Sequence, residues 1–452
     1  MAQAEDSGKR QVDCRRPLKE KSGVCCLVMR DRVWHADSVL PSAKLSARKE
    51  RETPEALLRP HMPELDAIRG LAILGVLIYH GLYWTRDFTE YPPWQRVILE
   101  AAGPGKFGVN LFFVLSGFLI TGILVDAKER AGYYQQFYFR RALRILPAYY
   151  ATLLILVVLG LTSRGFLFMS LLYSSNLSAL FGIAMSYPVL WSLAVEEHFY
   201  FLWPAAAKNL SSKHLKWVAG FLVVLSPILR MLCHESAFGS LMPRAGCFYY
   251  TWNTADGLAL GALVALLVRE WNQDRKKLRN LSLTLFGVGL LIALGGLPFG
   301  IETRTTSVGE ALQWVPWNFW FGGILGMFLL AGSGPYKNWV APKVLVFFGQ
   351  ISYGLYLYHL FVFQFYRWIA KRTGFEEHLG LSLWMRTWSY MICGGLAAIA
   401  LAYLSRKYFE EPFLRLKDRW TPKSAKQEIA HPRKGLVLRE AEERGFEKLP
   451  RA

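Results

Sequence analysis

The sequence is short of charge: only 19% of its 452 residues are Asp, Glu, Lys or Arg, against 53% hydrophobic residues, 15% aromatics and 16 tryptophans. That scarcity excludes an ordinary soluble enzyme and leaves a polytopic membrane protein. Acid is the scarcer sign, 34 residues against 53 basic ones, for a formal net charge of +19. No nucleic-acid footprint follows, because Lys and Arg sit in short clusters between apolar runs and at both ends, as cytoplasmic loops do. Cysteine is sparse too. Cys14, Cys25, Cys26, Cys233, Cys247 and Cys393 show neither metal-ligand spacing nor a regular disulfide framework, so unpaired thiols and no metal site are expected. There is no glycine-rich phosphate loop and no repeat of fixed period. Residues 1–60 contain no apolar core of signal-peptide length, so the first helix itself is expected to direct insertion.

What the sequence does have is long apolar runs. Pro63 to Trp84, PELDAIRGLAILGVLIYHGLYW, gives about 20 largely apolar residues from Leu65 onward, roughly 30 Å of helix and enough to cross a bilayer. Further spans are expected at Phe107 to Val125, Ile145 to Leu161, from Leu190, His214 to Leu232, Asn253 to Val268, Leu281 to Leu297, Trp317 to Ala331, Phe347 to Ile369 and Met385 to Leu404. Phe166 to Gly182 is apolar but broken by serines and Asn176. Counting it as a crossing would send Lys208, Lys213 and Lys216 outward, so it is expected to be re-entrant or extracytoplasmic. The expected fold class is all-α: about ten transmembrane helices in a bundle, both termini cytoplasmic. Residues 1–61, with 13 Lys or Arg and no periodicity, are expected to be a disordered basic cytoplasmic extension. Translation from Met62 is expected to omit it. Residues 418–452 are expected to form a charged cytoplasmic tail.

Ionisable residues inside such spans are costly and mark function unless they pair structurally. Arg69 and His80 stand eleven residues apart, roughly 16 Å along the helix and about 20° around it, so they share a face. His80 is either a base or a hydrogen-bonded packing histidine. The fourth span, LWSLAVEEHFYFLWP, buries Glu196 and Glu197 beside His198, where a structural ion pair is the alternative to catalysis. Arg141 and Arg144, three apart in FRRALRILPAYY, either grip phosphates or anchor topology on lipid headgroups. His359, in ISYGLYLYHLFVF, is a second intramembrane histidine whose plainer role is a buried imidazole bonded to tyrosines.

These segments resemble, in order, the acyltransferase-3 family of integral membrane O-acyltransferases. The resemblance rests on LDAIRGLAIL with its later histidine, NLFFVLSGF, FRRALRILPAYY, WSLAVEEHFYFLWP, NTADGLALG, ISYGLYLYH and YFEEP, and spans roughly residues 62–417. His198 stands where members usually carry glutamine, and Thr254 where many are expected to carry arginine. No hydrolase-like extracytoplasmic domain, which some members carry, is seen in this sequence.

The resemblance implies a bacterial cytoplasmic-membrane enzyme transferring an acyl group, acetyl by default, to a hydroxyl of an envelope polysaccharide, lipid-linked sugar or other glycoside. It would use acyl-coenzyme A as co-substrate and no bound cofactor, with membrane lipids as neighbours. The implied catalytic residues are His80, Glu196 and Glu197, and Arg69, Arg141 and Arg144 would hold the donor. Ser116, Asp256, Ser352, Tyr353 and His359 are further site candidates. Glu196 or Glu197, arriving from the opposite face, is expected to fix the tautomer of His80. Whether His80 acts as base or acyl carrier stays open. The rival readings are a proton-coupled transporter or flippase-like binding protein and a noncatalytic assembly partner.

Overall fold

The structure, a computed structural model, describes residues 56–84, 86–235, 246–303 and 305–419. The expectations for residues 1–55 and for the tail beyond residue 419 fall outside that range. Only helices and turns occur among the described residues; no strand does. α1 (Pro63–Ile78) starts with Pro63, whose missing N–H costs nothing there, and with Glu64 and Asp66 in the first turn, where the helix dipole favours acid. It ends by widening into a π-turn, Tyr79–Tyr83, which carries His80. The chain returns through α2 (Pro93–Glu100) and α3 (Gly108–Asp126), and crosses again as α4 (Tyr133–Val158). α5 (Arg164–Leu171) is eight residues, about 12 Å, too short to cross, and a 3-10 segment follows at Ser175–Phe181. Residues 166–182 therefore do not span as one helix.

The second half continues as α6 (Leu190–Asn209), α7 (Ser212–His234), the single turn α8 (Thr251–Thr254), α9 (Asp256–Glu270) and α10 (Arg275–Gly296). The short α11 (Ser307–Leu312) leads into α12 (Val315–Gly332), and α13 (Lys337–Val340) into α14 (Lys343–Thr373). After α15 (Phe375–His378) come α16 (Leu383–Ser389), α17 (Gly395–Leu404) and α18 (Glu411–Arg419), joined by π-turns at Tyr390–Gly394 and Ser405–Glu410. Among the described residues eight rods, some of them runs of consecutive elements such as Pro93–Asp126 and Leu383–Leu416, are long and apolar enough to cross a membrane. The expectation of ten also counts α6 and α9. α9 has only 15 residues, and α6 carries the Glu196, Glu197 and His198 run.

Two helix pairs build the centre: α1 lies along α14, and α3 along α9. Both rely on glycine where backbones nearly touch. A Cβ on Gly349 would stand 1.9 Å from the Asp66 carbonyl oxygen, and one on Gly117 1.9 Å from that of Leu258. With no hydrophobic drive between helices in lipid, such close packing holds the bundle together.

Two expectations are corrected here. Cys233 and Cys247 are not unpaired thiols: they form a disulfide between the end of α7 and the segment before α8. Their spacing of 14 residues matches no metal or framework pattern, so sequence alone did not pair them. The folded unit also does not begin at Met62. Leu57 is fully buried in the core, the Leu58 amide donates to Gln273 Oε1, and Arg59 pairs with Glu64 and donates to the Gly332 carbonyl.

Arg59→Ala in the full chain strands the Glu64 carboxylate, which is nearly sealed from solvent. The expected loss is about 3–5 kcal/mol, the usual size for breaking a buried pair. It would be read as a lower thermal midpoint in detergent; an unchanged midpoint would put the segment before Met62 outside the fold. For the disulfide, peptide mass mapping should find Cys233 and Cys247 alkylated only after reduction, and Cys233→Ser should cost about 3 kcal/mol.

Candidate active site

Between α1, α3, α4, α6 and α14 lies a cavity of about 280 Å³. Its charged lining is Arg69 from α1, Arg141 and Arg144 from α4 and Glu196 from α6. Hydroxyls of Ser116, Ser192, Tyr200, Ser352, Tyr353 and Tyr356 share the wall with Phe112, Phe113 and Leu193. Helical spacing explains the convergence. Arg141 and Arg144 are three apart on α4, and Ser192, Glu196 and Tyr200 recur every four residues on α6.

Arg141 is the hub. Its Nε and Nη2 donate to Glu197 Oε1 at 3.3 and 3.2 Å, and Nη2 lies 4.0 Å from Glu196 Oε2. The guanidinium carbon stands 3.0 Å above the centre of the Tyr200 ring, and the Tyr200 hydroxyl donates to Glu196 Oε2 at 2.8 Å. Ser116 donates to the other oxygen, Oε1, at 3.3 Å. Each carboxylate thus has both a charge partner and a donor, which a charge away from water requires. Arg69 donates to Asp66 on its own helix. Arg144 makes no hydrogen bond or ion pair among the described residues, although it lines the cavity. Three guanidiniums around one hollow, with one of them uncommitted, suit an anionic guest.

His80 lies outside this cavity and against His359 of α14, ring centres 4.9 Å apart. A carbonyl only accepts, so the bond between His80 Nδ1 and the Val76 oxygen at 2.9 Å puts the ring proton on Nδ1. His359 Nδ1 likewise donates to the Leu355 oxygen at 3.0 Å, which leaves its Nε2 a pure acceptor, 3.2 Å from His80 Nδ1. One proton is therefore shared between the Val76 carbonyl and the neighbouring imidazole. His80 Nε2 keeps a bare lone pair, with no hydrogen bond to it among the described residues. The two sites communicate through Tyr356. That residue lines the cavity, bonds to Ser192, and has its ring 6.0 Å from that of His359.

The structure gathers Arg69, Arg141, Arg144, Glu196, Ser116, Ser352 and Tyr353 in one place, and His80 with His359 in another. It does not bring Glu196 or Glu197 to His80. The expected carboxylate orienter is replaced by the Val76 carbonyl, because Arg141 claims both glutamates. Nor do the glutamates oppose the arginines across the membrane: one guanidinium holds the pair. Ser352 and Tyr353 serve as tethers, donating to the Gly349 and Ile145 carbonyls.

Asp256 lies elsewhere. Arg230 of α7 grips it with two bonds, at 2.9 and 3.3 Å, and also donates to the Asn253 and Ala311 carbonyls, a buried strut between helices. His198 contacts Thr251 Oγ1 at 2.6 Å and takes no part in the cavity. Sequence reasoning missed Tyr200, Ser192 and Arg230. The four-residue spacing around Glu196 carries a signal for the first two, and a lone arginine in an apolar span for the third.

A family model described as an acyltransferase domain matches residues 62–407. The peptidoglycan O-acetyltransferase OatA of Listeria monocytogenes is 26% identical over 383 residues, which cover 78% of this chain and 56% of that protein. The putative peptidoglycan O-acetyltransferase YrhL of Bacillus subtilis is 28% identical over 386 residues, covering 78% and 55%. A putative O-acetyltransferase of Staphylococcus aureus, SAS0844, is 27% identical over 340 residues, covering 68% and 51%. The chain spans about half the length of the curated relatives it matches. No solved structure matches it. The matched region contains the three arginines, both glutamates and both histidines of the two sites, and the chain belongs to the acyltransferase-3 family of membrane acyltransferases.

Proposed function

We propose that the protein is an O-acetyltransferase that takes an acetyl group from acetyl-coenzyme A and delivers it to a hydroxyl of a cell-envelope glycan. Peptidoglycan is the favoured acceptor, since it is named for two of the relatives. The observation that carries the reading is the bare Nε2 of His80, its tautomer fixed by Val76 and His359, next to a cavity ringed by arginines. Arg69, Arg141 and Arg144 suit the phosphates of the donor, through charge-assisted bonds. The thioester then points past Tyr356 toward the histidine pair.

As the acceptor oxygen attacks the thioester carbonyl, its proton passes to His80 Nε2. The carbon–sulfur bond breaks, and the leaving thiolate takes that proton back. The Nδ1 proton, held between the Val76 oxygen and His359 Nε2, stabilises the transient imidazolium. A proton-coupled transporter would set carboxylates beside its histidines; here the glutamates serve Arg141 and the histidines serve each other, which favours the enzyme.

Three variants test this reading. Arg144→Ala removes no internal bond, so insertion and thermal midpoint should match the wild type while KM for acetyl-coenzyme A rises about 10- to 100-fold, the size of a lost charge-assisted bond. Arg141→Ala strands two carboxylates and should lower the yield of folded protein instead. With equal insertion shown, membranes carrying His80→Ala should transfer labelled acetyl from acetyl-coenzyme A into envelope glycans about 10²- to 10⁴-fold more slowly. Equal transfer would make His80 a packing residue and end the mechanism.

A further inference from the structure

Acyl transfer leaves a second hollow unexplained. It also measures about 280 Å³, and it lies against the opposite face of α14 from the active-site cavity. Phe347 and Ile351 face it, whereas Ser352, Tyr353 and Tyr356 face the first, about half a turn round the helix. Its depth is fixed by Gly349, which touches Asp66 at the start of α1. Lys343 begins α14 nearby. This is the basic end of the bundle, which the positive-inside rule assigns to the cytoplasmic leaflet.

Phe347, Ile351 and Tyr403 make one wall apolar, while Arg406, Lys407 and Arg415 supply three cations against the single carboxylate of Glu411. Both arginines share that carboxylate, Arg406 at 3.3 Å and Arg415 at 3.4 Å, and Arg406 also faces the buried Glu410, so the excess positive charge is that of Lys407. Arg406 Nη1 is buried, and its contact with Glu411 is an ion pair without hydrogen-bond geometry. Lys407 has no carboxylate partner among the described residues, and its ammonium is parked near the Tyr403 and Tyr408 rings. Val344, Tyr408 and Phe409 are exposed beside it, apolar surface suited to acyl chains rather than water.

We propose that this hollow binds the phosphate headgroup of an anionic phospholipid of the cytoplasmic leaflet, its chains lying along Phe347, Ile351 and Tyr403. Two or three cations near one phosphate, with aromatics at headgroup level, are what such recognition requires. A free phosphate would satisfy the cations but leave the apolar wall bare. The lipid braces α14, whose far face lines the active-site cavity, against the rod formed by α17 and α18.

The test compares the purified full chain in detergent with added phosphatidylglycerol, phosphatidylcholine or inorganic phosphate, for the wild type and for the double variant Lys407→Gln, Arg415→Gln. Both side chains are exposed, so the variant should fold. Phosphatidylglycerol should raise the wild-type thermal midpoint by about 2–4 °C more than phosphatidylcholine does, and the variant should lose most of that difference. Equal shifts with the two lipids, or a full phosphatidylglycerol shift in the variant, would overturn the proposal. So would an equal shift with inorganic phosphate, which would make the hollow a site for free anions.

Discussion

The histidine pair exists only because α1 and α14, nearly 300 residues apart in sequence, come into backbone contact. Near the start of both helices Gly70 meets the Leu345 carbonyl, where a Cβ would stand 2.1 Å from the oxygen, and Gly349 meets that of Asp66. At the other end Gly81, inside the π-turn, lies against Met391, whose sulfur would be 2.2 Å from a Cβ. Side chains at Gly70 or Gly349 would meet backbone and push α1 and α14 apart, and the 3.2 Å contact between imidazoles would open. Close packing of this kind is also what drives helices together in lipid, so the interaction that stabilises the bundle is the one that builds the site.

Given that contact, the remaining polar groups sort by the cost of burying charge. Arg230 and Asp256 pair off with every donor of the guanidinium engaged, and so act as a strut. Arg141 divides itself between two carboxylates and a tyrosine ring. Arg144, by contrast, lines the same hollow with no hydrogen bond or ion pair among the described residues and only the more distant charges of Asp66 and Glu410, which leaves its burial poorly repaid. That contrast marks Arg144 as the guanidinium proposed to bind a guest, better than sequence position does.

The sequence made the helices legible and singled out most of the charged residues that line the cavity or form the histidine pair, because apolar runs of about 20 residues and ionisable groups inside them have few other readings. It could not show partners. Glu196 and Glu197 stand near His80 in an argument about roles, yet a carboxylate binds the nearest cation first, and only the fold reveals that Arg141 is nearer. The histidine pair was hidden for the same reason: each imidazole was visible, and their contact depends on where α14 lies. The disulfide and the packing of Leu57 ahead of Met62 were illegible because neither leaves a spacing or a periodicity to read.

The replacement of a carboxylate by a carbonyl beside His80 has a physical logic of its own. A carboxylate there would be a permanent charge at mid-depth, needing a cation to hold it and water to screen it. The Val76 oxygen fixes the same ring proton without adding any charge, since it is a helical carbonyl with a lone pair to spare. His359 extends the arrangement as a second neutral acceptor. In the proposed mechanism charge would appear at the pair only while a substrate proton is on Nε2, and would leave with the product. The fixed charges stay on the arginine side of Tyr356, where a polyanionic donor would neutralise them. Separating permanent charge from transient charge along α14 would allow one bundle to hold an anionic donor at one depth and move a proton at another, with no ion stranded in between.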